Sequence, residues 1–233
     1  QTQFTAISGH QQQLFDEFVP SYVVYNGIDV QSFKANMHPI EEEIYFWYGR
    51  ICPEKGTHLA MEYCQAAGKR LVLAGPKSNE DYFNQYVAPL LAEDNKVSKE
   101  NGTPALFGYV GHLSKYEVND YLCQSTAMLF TSTWDEPYGL ILAESLACGT
   151  PIIGFDVGAS AEIVTPATGI IVPKVDKDAF IQAFDDIKHI SRAACRLRAE
   201  QFCSVAAMVD GYLRLYEQAL TSSDSTKTHA LSF

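Results

Sequence analysis

Two loops in the sequence combine anion-binding residue types with glycines. The first, GRICPEKG, covers residues 49–56 and leads into a helical pattern. Arg50 can donate two hydrogen bonds to phosphate oxygens, Lys55 adds a positive charge near the helix N-terminus, and the flanking glycines let the backbone turn tightly. In a chain of net charge −11, these two cations indicate a local anion site. In the alternative, Arg50 pairs with Glu54 or with an acidic residue at 41–43, and the two interpretations have similar weight for this loop alone.

The second loop, WDEPYGL, covers residues 134–140 and opens another predicted helix. The backbone N–H groups of Gly139 and Leu140 lack helical partners there and can bind an anion. Glu136 precedes this helix, and Glu144 lies within an otherwise apolar helical stretch. A buried carboxylate needs partners, so Glu144 either faces solvent or accepts hydrogen bonds from hydroxyl groups such as those of a ribose. For Glu136 the alternative is a charge that stabilises the helix dipole.

The two loops must be positioned by helices and strands, and the rest of the sequence predicts these elements. Short apolar runs alternate with helical patterns between residues 44 and 172, which is typical of a parallel sheet. We therefore expect an α/β fold, a Rossmann-like parallel sheet flanked by helices on both faces. Both loops then lie at the carboxyl ends of strands, where such sheets bind ligands. The predicted strands are residues 44–49, 70–75, 105–110, 127–132, 151–155 and 169–173, and the predicted helices are 57–68, 79–94, 114–125, 139–149, 176–190, 191–202 and 204–220.

Composition narrows the classes of function. The 233 residues include 17 Lys plus Arg against 28 Asp plus Glu, an acidic balance that argues against nucleic-acid binding. The six cysteines form no C-x-x-C pair, so we expect reduced thiols and no metal site. No apolar run is long enough for a membrane helix and no export signal is visible, which favours a cytoplasmic protein. The chain begins with Gln1 rather than Met, so we expect it to be a piece of a longer protein.

Several strings together resemble a known family. EPYGLILAE at 136–144, followed by SLACGTPII, resembles the signature of the family 4 retaining glycosyltransferases of the GT-B fold. GRICPEKG is similar to the phosphate-binding loop of that family. The resemblance spans residues 23–173, with Thr131 where the family usually has Pro and Ala159 where it has a second Gly. Further matching strings, in the family's order, are YNGID, LAGP, YVGHLS, FDVGASAEIV and TGIIVP.

The resemblance implies roles for particular residues. Arg50 and Lys55, with the N–H groups of Gly139 and Leu140, are expected to hold the diphosphate of a nucleotide-sugar donor. Glu144 is expected to bind the ribose and Glu136 the transferred sugar, so that Glu136, Arg50 and Lys55 form the catalytic set. No metal or other cofactor is expected, and the donor is a UDP-hexose by default, with GDP-mannose close behind. The remaining donor-binding candidates are Gly49, Pro137 and Tyr138 beside the two loops and Tyr109, Val110 and Gly111 at the nucleobase.

The resemblance also implies a domain organisation. We expect residues 1–43 to be a connecting segment or the edge of a missing N-terminal domain, and residues 44–203 to be the nucleotide-sugar-binding domain. The predicted helix at 204–220 then packs toward the missing domain, and residues 221–233 form a disordered tail. The acceptor site lies in the missing half of the same polypeptide, through which alone any membrane association would occur.

The sequence thus predicts the donor-binding half of a retaining, metal-independent hexosyl-type glycosyltransferase, inactive without its acceptor half. The alternative is a non-catalytic nucleotide-sugar-binding or regulatory module. The spacing between Glu136 and Glu144 counts against a GT-B epimerase, and the absence of G-x-G-x-x-G counts against a hydride-transferring enzyme. Tyr138 and Trp134 are candidates for stacking on a ligand, although aromatic residues at strand ends more often serve packing. His112 and His58 are more simply explained as loop-surface histidines.

Overall fold

The molecule is organised around a six-stranded parallel sheet with the strand order β5-β4-β3-β6-β7-β8. The computed structural model describes residues 4–38 and 40–228, with side chains described as far as residue 221. A separate pair of short parallel strands, β1 and β2, lies near the N-terminus. The strands are β1 Phe4–Ala6, β2 Ser21–Val23, β3 Ile44–Tyr48, β4 Arg70–Ala74, β5 Phe107–Tyr109, β6 Ala127–Phe130, β7 Ile152–Phe155 and β8 Gly169–Val172.

Helices connect successive strands of the sheet, as parallel pairing requires. Short 3₁₀ turns at Val30–Ser32, Pro53–Lys55 and Ile187–His189 and a π-helical turn at Phe83–Val87 supplement them. The α-helices are α1 Gly9–Asp16, α2 Thr57–Ala67, α3 Glu80–Tyr82, α4 Ala88–Asn101, α5 Lys115–Gln124, α6 Leu140–Ala147, α7 Ser160–Ile163, α8 Lys177–Asp186, α9 Arg192–Phe202 and α10 Val205–Thr228.

The predicted fold class is confirmed, and burial explains why the prediction succeeds. Every residue of β6 and β7 is buried, so these strands read as continuous apolar runs rather than as alternating patterns. On one face, Phe180 and Phe184 of α8 pack edge-on against each other, against Phe155 of β7 and against Tyr45 of β3. Apolar helices thus cover the sheet and hold the strand ends in fixed positions.

The strand order places a topological switch point between β3 and β6. From β3 the chain proceeds outward through β4 and β5, then returns to pair β6 with the other side of β3. Loops that leave neighbouring strands in opposite directions open a crevice at this point, where doubly wound sheets bind ligands. The loops after β3 and β6 are the two that the sequence analysis selected.

One carboxylate of the sheet domain binds the N-terminal segment at three points. Glu162 of α7 accepts hydrogen bonds from the backbone N–H groups of Gly9 (2.7 Å) and His10 (2.8 Å), at the start of α1. It also accepts one from the Tyr25 hydroxyl at 2.8 Å. An acidic group at a helix N-terminus is stabilising, so Glu162 adds to the Ser8 N-cap in holding the start of α1.

Two helices extend further than their sequence patterns indicate. The pattern at 79–94 ends where apolar residues stop recurring, but α4 continues to Asn101 and ends at Gly102 in a left-handed conformation. Similarly, α10 continues to Thr228, into the tail expected to be disordered from residue 221. Adding residues to an existing helix costs far less than nucleating one, so polar residues can extend it. The expectation for residues 229–233 lies outside the described residues.

None of the helices in the described ranges combines the length and apolar content required to cross a membrane.

Candidate functional site

Close backbone contacts join the loops after β3 and β6. Gly56 has a positive φ of 63°, and a Cβ at this position would collide with the carbonyl oxygen of Thr131. The Thr131 hydroxyl donates to the Gly56 carbonyl oxygen at 2.9 Å and accepts from the Trp47 indole at 3.1 Å. The threonine that stands in place of the family's usual proline therefore links the two loops. Another link is the hydrogen bond from the Thr133 N–H to the Glu54 carbonyl oxygen (2.8 Å).

Lys55 and Glu136 meet across this crevice. The Lys55 ammonium contacts Oε1 of Glu136, and the two side chains are only 20% and 17% exposed. Ser132 also donates to the same carboxylate oxygen, at 3.4 Å. Burial lowers the pKa of Lys55, and the positive charge of Arg50 lowers it further. The predicted cation and the predicted sugar-facing carboxylate are thus adjacent, although 80 residues separate them in the chain.

Arg50 lies at the mouth of the same crevice but is much more exposed. Its side chain is 60% accessible, and Nη2 lies 3.6 Å from Oε1 of Glu54. The alternative pairing of Arg50 with Glu54 is therefore present in the structure. A loose, exposed pair of this kind contributes little to stability, so the guanidinium can exchange Glu54 for another anion at little cost.

Glu144 is partly buried and hydrogen-bonded to a strand residue. Its Oε2 accepts a hydrogen bond from the Tyr48 hydroxyl at 2.8 Å, and the same hydroxyl lies 3.2 Å from the Ile141 carbonyl oxygen. Burial raises the pKa of Glu144, while the Tyr48 hydrogen bond and the charge of Lys115 oppose that rise. The solvated-face alternative for Glu144 does not agree with this position. Its carboxylate has further acceptor capacity for hydroxyl donors.

The start of α6 is held in place by the loop after β7. Gly139 adopts a left-handed conformation with φ of 84°, directly before the first helical residue, Leu140. Behind it, the Ala159 N–H donates to the Glu136 carbonyl oxygen at 3.0 Å, and Gly158 packs so closely on the Glu136 backbone that a Cβ would collide with it. The first turn of α6, whose N–H groups lack partners within the helix, therefore starts from a backbone that the loop after β7 holds in place.

The predicted nucleobase loop follows β5. The Tyr109 hydroxyl donates to the Gly75 carbonyl oxygen at 2.9 Å, and the Gly75 N–H donates to the Gly111 carbonyl oxygen at 2.7 Å. These bonds hold the loops after β4 and β5 together, with Val110 exposed between them. Gly111 has a φ of 79°, which glycine adopts without strain.

Two cavities adjoin at the switch point. They share Tyr48, Gly49 and Arg50, so the candidate residues from β3 form a common wall. A cavity of about 210 Å³ extends toward β6 and is also lined by Trp47, Lys55, Leu129, Phe130, Thr131, Ser132 and Ile141. A cavity of about 240 Å³ extends toward β4 and β5 and is also lined by Ala74, Gly75, Pro76, His112, Leu113 and Val118.

A larger cavity of about 520 Å³ lies elsewhere, beside the residues that precede β3, β6 and β7. Its wall contains Glu43, Thr126 and Pro151, which precede the amino ends of these strands. We favour the smaller cavities as the candidate site, because helix N-termini and the paired loops open at the carboxyl edge.

Not every candidate side chain reaches the crevice. Tyr138 is 2% exposed and its ring belongs to the hydrophobic core, so this side chain cannot stack on a ligand, and the packing interpretation is correct. Trp134 and Pro137 are exposed on the same loop. His58 lies half-buried in α2 rather than on a loop; its Nδ1 is 2.6 Å from the Tyr82 hydroxyl, and burial lowers its pKa.

Sequence reasoning missed one residue of the site, Tyr48, and one that binds the N-terminal segment, Glu162. Tyr48 reads as one more aromatic residue of a buried strand, yet its hydroxyl is the partner of Glu144. Glu162 lies in a string noted for its resemblance, but nothing in its spacing predicts that it binds the start of α1. Both contacts join residues that are far apart in sequence, so the folded structure was needed to find them.

Metal-binding groups do not cluster in the described part of the chain. Within it, no three His, Cys, Asp or Glu side chains are arranged to hold a metal ion. The Asp-x-Asp at 176–178 serves a helix instead, because Asp176 accepts a hydrogen bond from the Ala179 N–H (3.0 Å) at the start of α8.

Comparison with protein families gives a match to a model described as "Glycosyl transferases group 1" over residues 30–201. The lipopolysaccharide core biosynthesis mannosyltransferase LpsB of Rhizobium meliloti is 24% identical over 220 residues, covering 90% of this chain and 59% of LpsB. The putative glycosyltransferase YtcC of Bacillus subtilis is 27% identical over 192 residues, covering 70% of this chain and 44% of YtcC. The chain therefore spans less than two-thirds of the length of these curated relatives.

Solved structures show the same fold. A glycosyltransferase from Rickettsia africae has a TM-score of 0.79 at 19% identity, covering 94% of this chain and 64% of the other. Anabaena HepE in complex with UDP has a TM-score of 0.74 at 18% identity, with the same two coverages. These likenesses confirm the predicted architecture, the Rossmann-like sheet of GT-B glycosyltransferases.

Proposed function

Because this chain belongs to the glycosyl transferases group 1 family, we propose that it binds a nucleoside-diphosphate sugar at the switch point and positions the sugar for transfer. One observation carries the proposal. Two cations, a helix N-terminus and a partly buried carboxylate that accepts a hydrogen bond from a tyrosine hydroxyl converge where β3 and β6 end. Such a set of groups can bind the phosphates, the ribose and the sugar of one ligand at successive positions along the crevice.

In this proposal the diphosphate lies between the β3 loop and the start of α6. Lys55 and Arg50 bind its oxygens from one side, and the N–H groups of Gly139 and Leu140 bind them from the other. The loop contacts that join Gly56 to Thr131 keep these two groups of donors at a fixed separation. Charge that develops on the departing diphosphate is then stabilised by groups already in position.

The two carboxylates bind different parts of the donor. Glu144 accepts hydrogen bonds from the ribose hydroxyls, with Tyr48 holding its carboxylate in orientation. Glu136 faces the transferred sugar and orients its hydroxyls. The nucleobase lies against the backbone of Tyr109, Val110 and Gly111, beside the cavity toward β4 and β5.

We assign the reaction to the retaining, metal-independent type of family 4. An acceptor hydroxyl forms its bond to the anomeric carbon on the face from which the phosphate departs. The bond from that carbon to the phosphate oxygen breaks, and the phosphate takes the acceptor proton. Lys55, Arg50 and the α6 N-terminus supply the positive potential that a metal ion supplies in other transferases.

The donor is proposed to be a UDP-hexose first and GDP-mannose second. Structures of HepE hold UDP, or UDP-glucose. LpsB is described as a mannosyltransferase. Both kinds of donor present a diphosphate and a ribose to the residues assigned above, so the choice between them rests on contacts to the base and the sugar.

We further propose that this chain is the donor-binding half of a two-domain enzyme. Large apolar side chains are exposed near α1 and on α10, among them Leu14, Phe18, Leu213 and Tyr216. A second domain that supplies the acceptor site would cover this surface. The chain alone is then expected to transfer no sugar, and transfer by the pure chain would refute this part of the proposal.

Titration calorimetry with free nucleotide and with nucleotide-sugar tests the role assignment. Glu144→Ala is expected to weaken binding of both ligands, because both contain the ribose. Glu136→Ala is expected to weaken only the nucleotide-sugar, because its partner is the transferred sugar. Glu93→Ala, an exposed carboxylate of α4, is the control and should leave both affinities unchanged. Equal losses for both ligands in both site variants would contradict the assignment.

A further inference from the structure

Two thiols meet at the ends of α5 and α6 that lie farthest from the switch point. Cys123 lies in the last turn of α5, and Cys148 directly follows α6. Both contact the carboxamide of Asn119, whose Nδ2 lies 2.8 Å from the Cys148 sulfur and 3.7 Å from the Cys123 sulfur. One amide group therefore brings together two cysteines that are 25 positions apart in the chain.

A buried cation without an acidic partner lies beside them. Arg192 is 8% exposed, and its guanidinium donates to the carbonyl oxygens of Asn36 (2.7 Å), Ser125 (2.8 Å) and Cys123 (3.3 Å). It also donates to the Thr150 hydroxyl at 3.0 Å. Among the residues that the structure describes, no carboxylate forms an ion pair with Arg192. A buried guanidinium favours a nearby anion. Near Arg192, a cysteine thiolate can be that anion.

The two sulfurs differ in accessibility and acidity. Cys123 is partly exposed, whereas Cys148 is fully buried. The neighbouring Cys148 thiol lowers the pKa of Cys123 to about 7 against the opposing effect of burial, with a further contribution from Arg192, and the same pairing raises the pKa of Cys148. An accessible thiolate beside a second thiol is the arrangement of redox-sensitive cysteine pairs.

We propose that Cys123 and Cys148 are a redox-active pair that hydrogen peroxide oxidises to an intramolecular disulfide. The Cys123 thiolate attacks one peroxide oxygen, the O–O bond breaks, and the departing hydroxide takes a proton to become water. Cys123 is then a sulfenic acid. The Cys148 sulfur attacks the Cys123 sulfur, the S–O bond breaks, and the hydroxyl leaves as a second water with the Cys148 proton. The protein loses two hydrogen atoms and the peroxide is reduced to two waters.

The same carboxamide connects the pair to the chain before β3. Besides the two sulfurs, Asn119 accepts from the Lys34 N–H and donates to the Lys34 carbonyl oxygen, both at 3.0 Å. Bond formation moves at least one sulfur relative to Asn119, since a disulfide requires a sulfur separation of about 2.05 Å. Hydrogen exchange at the Lys34 amide therefore reports on the state of the pair.

Peptide mapping by mass spectrometry tests the proposal on the wild-type chain. After brief treatment with hydrogen peroxide, we expect a linked Cys123–Cys148 peptide that dithiothreitol separates again. Its formation should be at least about tenfold faster than oxidation of the four other cysteines, which are buried and serve as internal controls. Oxidation of Cys123 at the rate of those four, or with Cys148 remaining a free thiol, would overturn the proposal.

Two variants identify the order of the steps. Cys148→Ser should stop at the sulfenic acid of Cys123, which dimedone traps, while Cys123→Ser should leave Cys148 reduced. Circular dichroism confirms that each variant is folded before treatment. A dimedone adduct on Cys148 instead of Cys123 would contradict the assigned roles. None of these measurements involves nucleotide-sugar binding, so their outcome is independent of the proposed function.

Discussion

Removing the charge of Lys55 tests the proposed diphosphate site most directly. Lys55→Met keeps most of the aliphatic stem and deletes the ammonium group. Lys55 is 20% exposed in the crevice between β3 and β6, whereas Arg50 of the same loop is 60% exposed. Arg50→Met is therefore a matched variant that removes a cation from the mouth of the same crevice.

The expected magnitudes follow from this difference in burial. A hydrogen bond to a charged group contributes about 1.5–3 kcal/mol, so Lys55→Met should raise the Kd for a nucleoside diphosphate about 10- to 150-fold. An exposed ion pair contributes at most about 1 kcal/mol, so Arg50→Met should raise the Kd by no more than about fivefold. Salt screens exposed charges more than buried ones, so the Arg50 contribution should also shrink more at high ionic strength.

Titration calorimetry at low and high salt measures both effects. Urea unfolding of each variant is needed alongside, because Lys55→Met also removes the partner of the largely buried Glu136 carboxylate. Wild-type affinity in a folded Lys55→Met protein would refute the assignment of Lys55. A larger, salt-insensitive loss in Arg50→Met would refute the argument from burial.

Two further predictions concern the carboxylate and the backbone of the site. Burial raises the pKa of Glu144 and the Tyr48 hydrogen bond opposes that rise. Since the ribose requires the ionised carboxylate, nucleotide affinity should fall as pH decreases through this pKa. Tyr48→Phe should move the fall to higher pH in a calorimetric pH series, and an unmoved or lowered midpoint would contradict this reasoning. Gly158→Ala should cost more than the ~1–2 kcal/mol of a left-handed alanine, because its methyl group meets the Glu136 backbone. Gly68→Ala, with φ of 65° and no atom within 4 Å, should show the backbone cost alone in urea unfolding, and equal losses would disprove the clash.

The fold could be predicted well from the sequence because strands that are buried on both faces appear as runs of consecutive apolar residues. Strands such as β6 and β7 are covered on both faces, and their apolar runs end within two residues of the observed ends. The two loops could be selected because glycines and cations stand together directly after such strands. Where a helix is sustained by propagation, as at the ends of α4 and α10, apolar periodicity stops before the helix does.

The side-chain partnerships could not be predicted in the same way. Lys55 meets Glu136, and Tyr48 meets Glu144, only because the sheet places β3 next to β6. Tyr138 is the opposite example. Its position in the second loop suggests contact with a ligand, but its ring lies in the hydrophobic core. Which side chains form a pair depends on strand order and helix packing. The spacing of residues within one segment reveals neither of them.

Both cations assigned to the diphosphate have carboxylate partners in the structure. Lys55 contacts Glu136, and Arg50 lies 3.6 Å from Glu54. Binding of a diphosphate is therefore an exchange of anions rather than the neutralisation of free charges. When Lys55 turns to the phosphate in the proposed complex, Glu136 loses its cationic partner and keeps only the Ser132 hydroxyl, in a largely buried position where a carboxylate without a cation is costly. Hydroxyl groups of the donor sugar can provide the missing hydrogen bonds. A nucleotide without a sugar does not replace the lost ammonium group, so in the proposed complex the ion pair itself favours the complete donor over the free nucleotide.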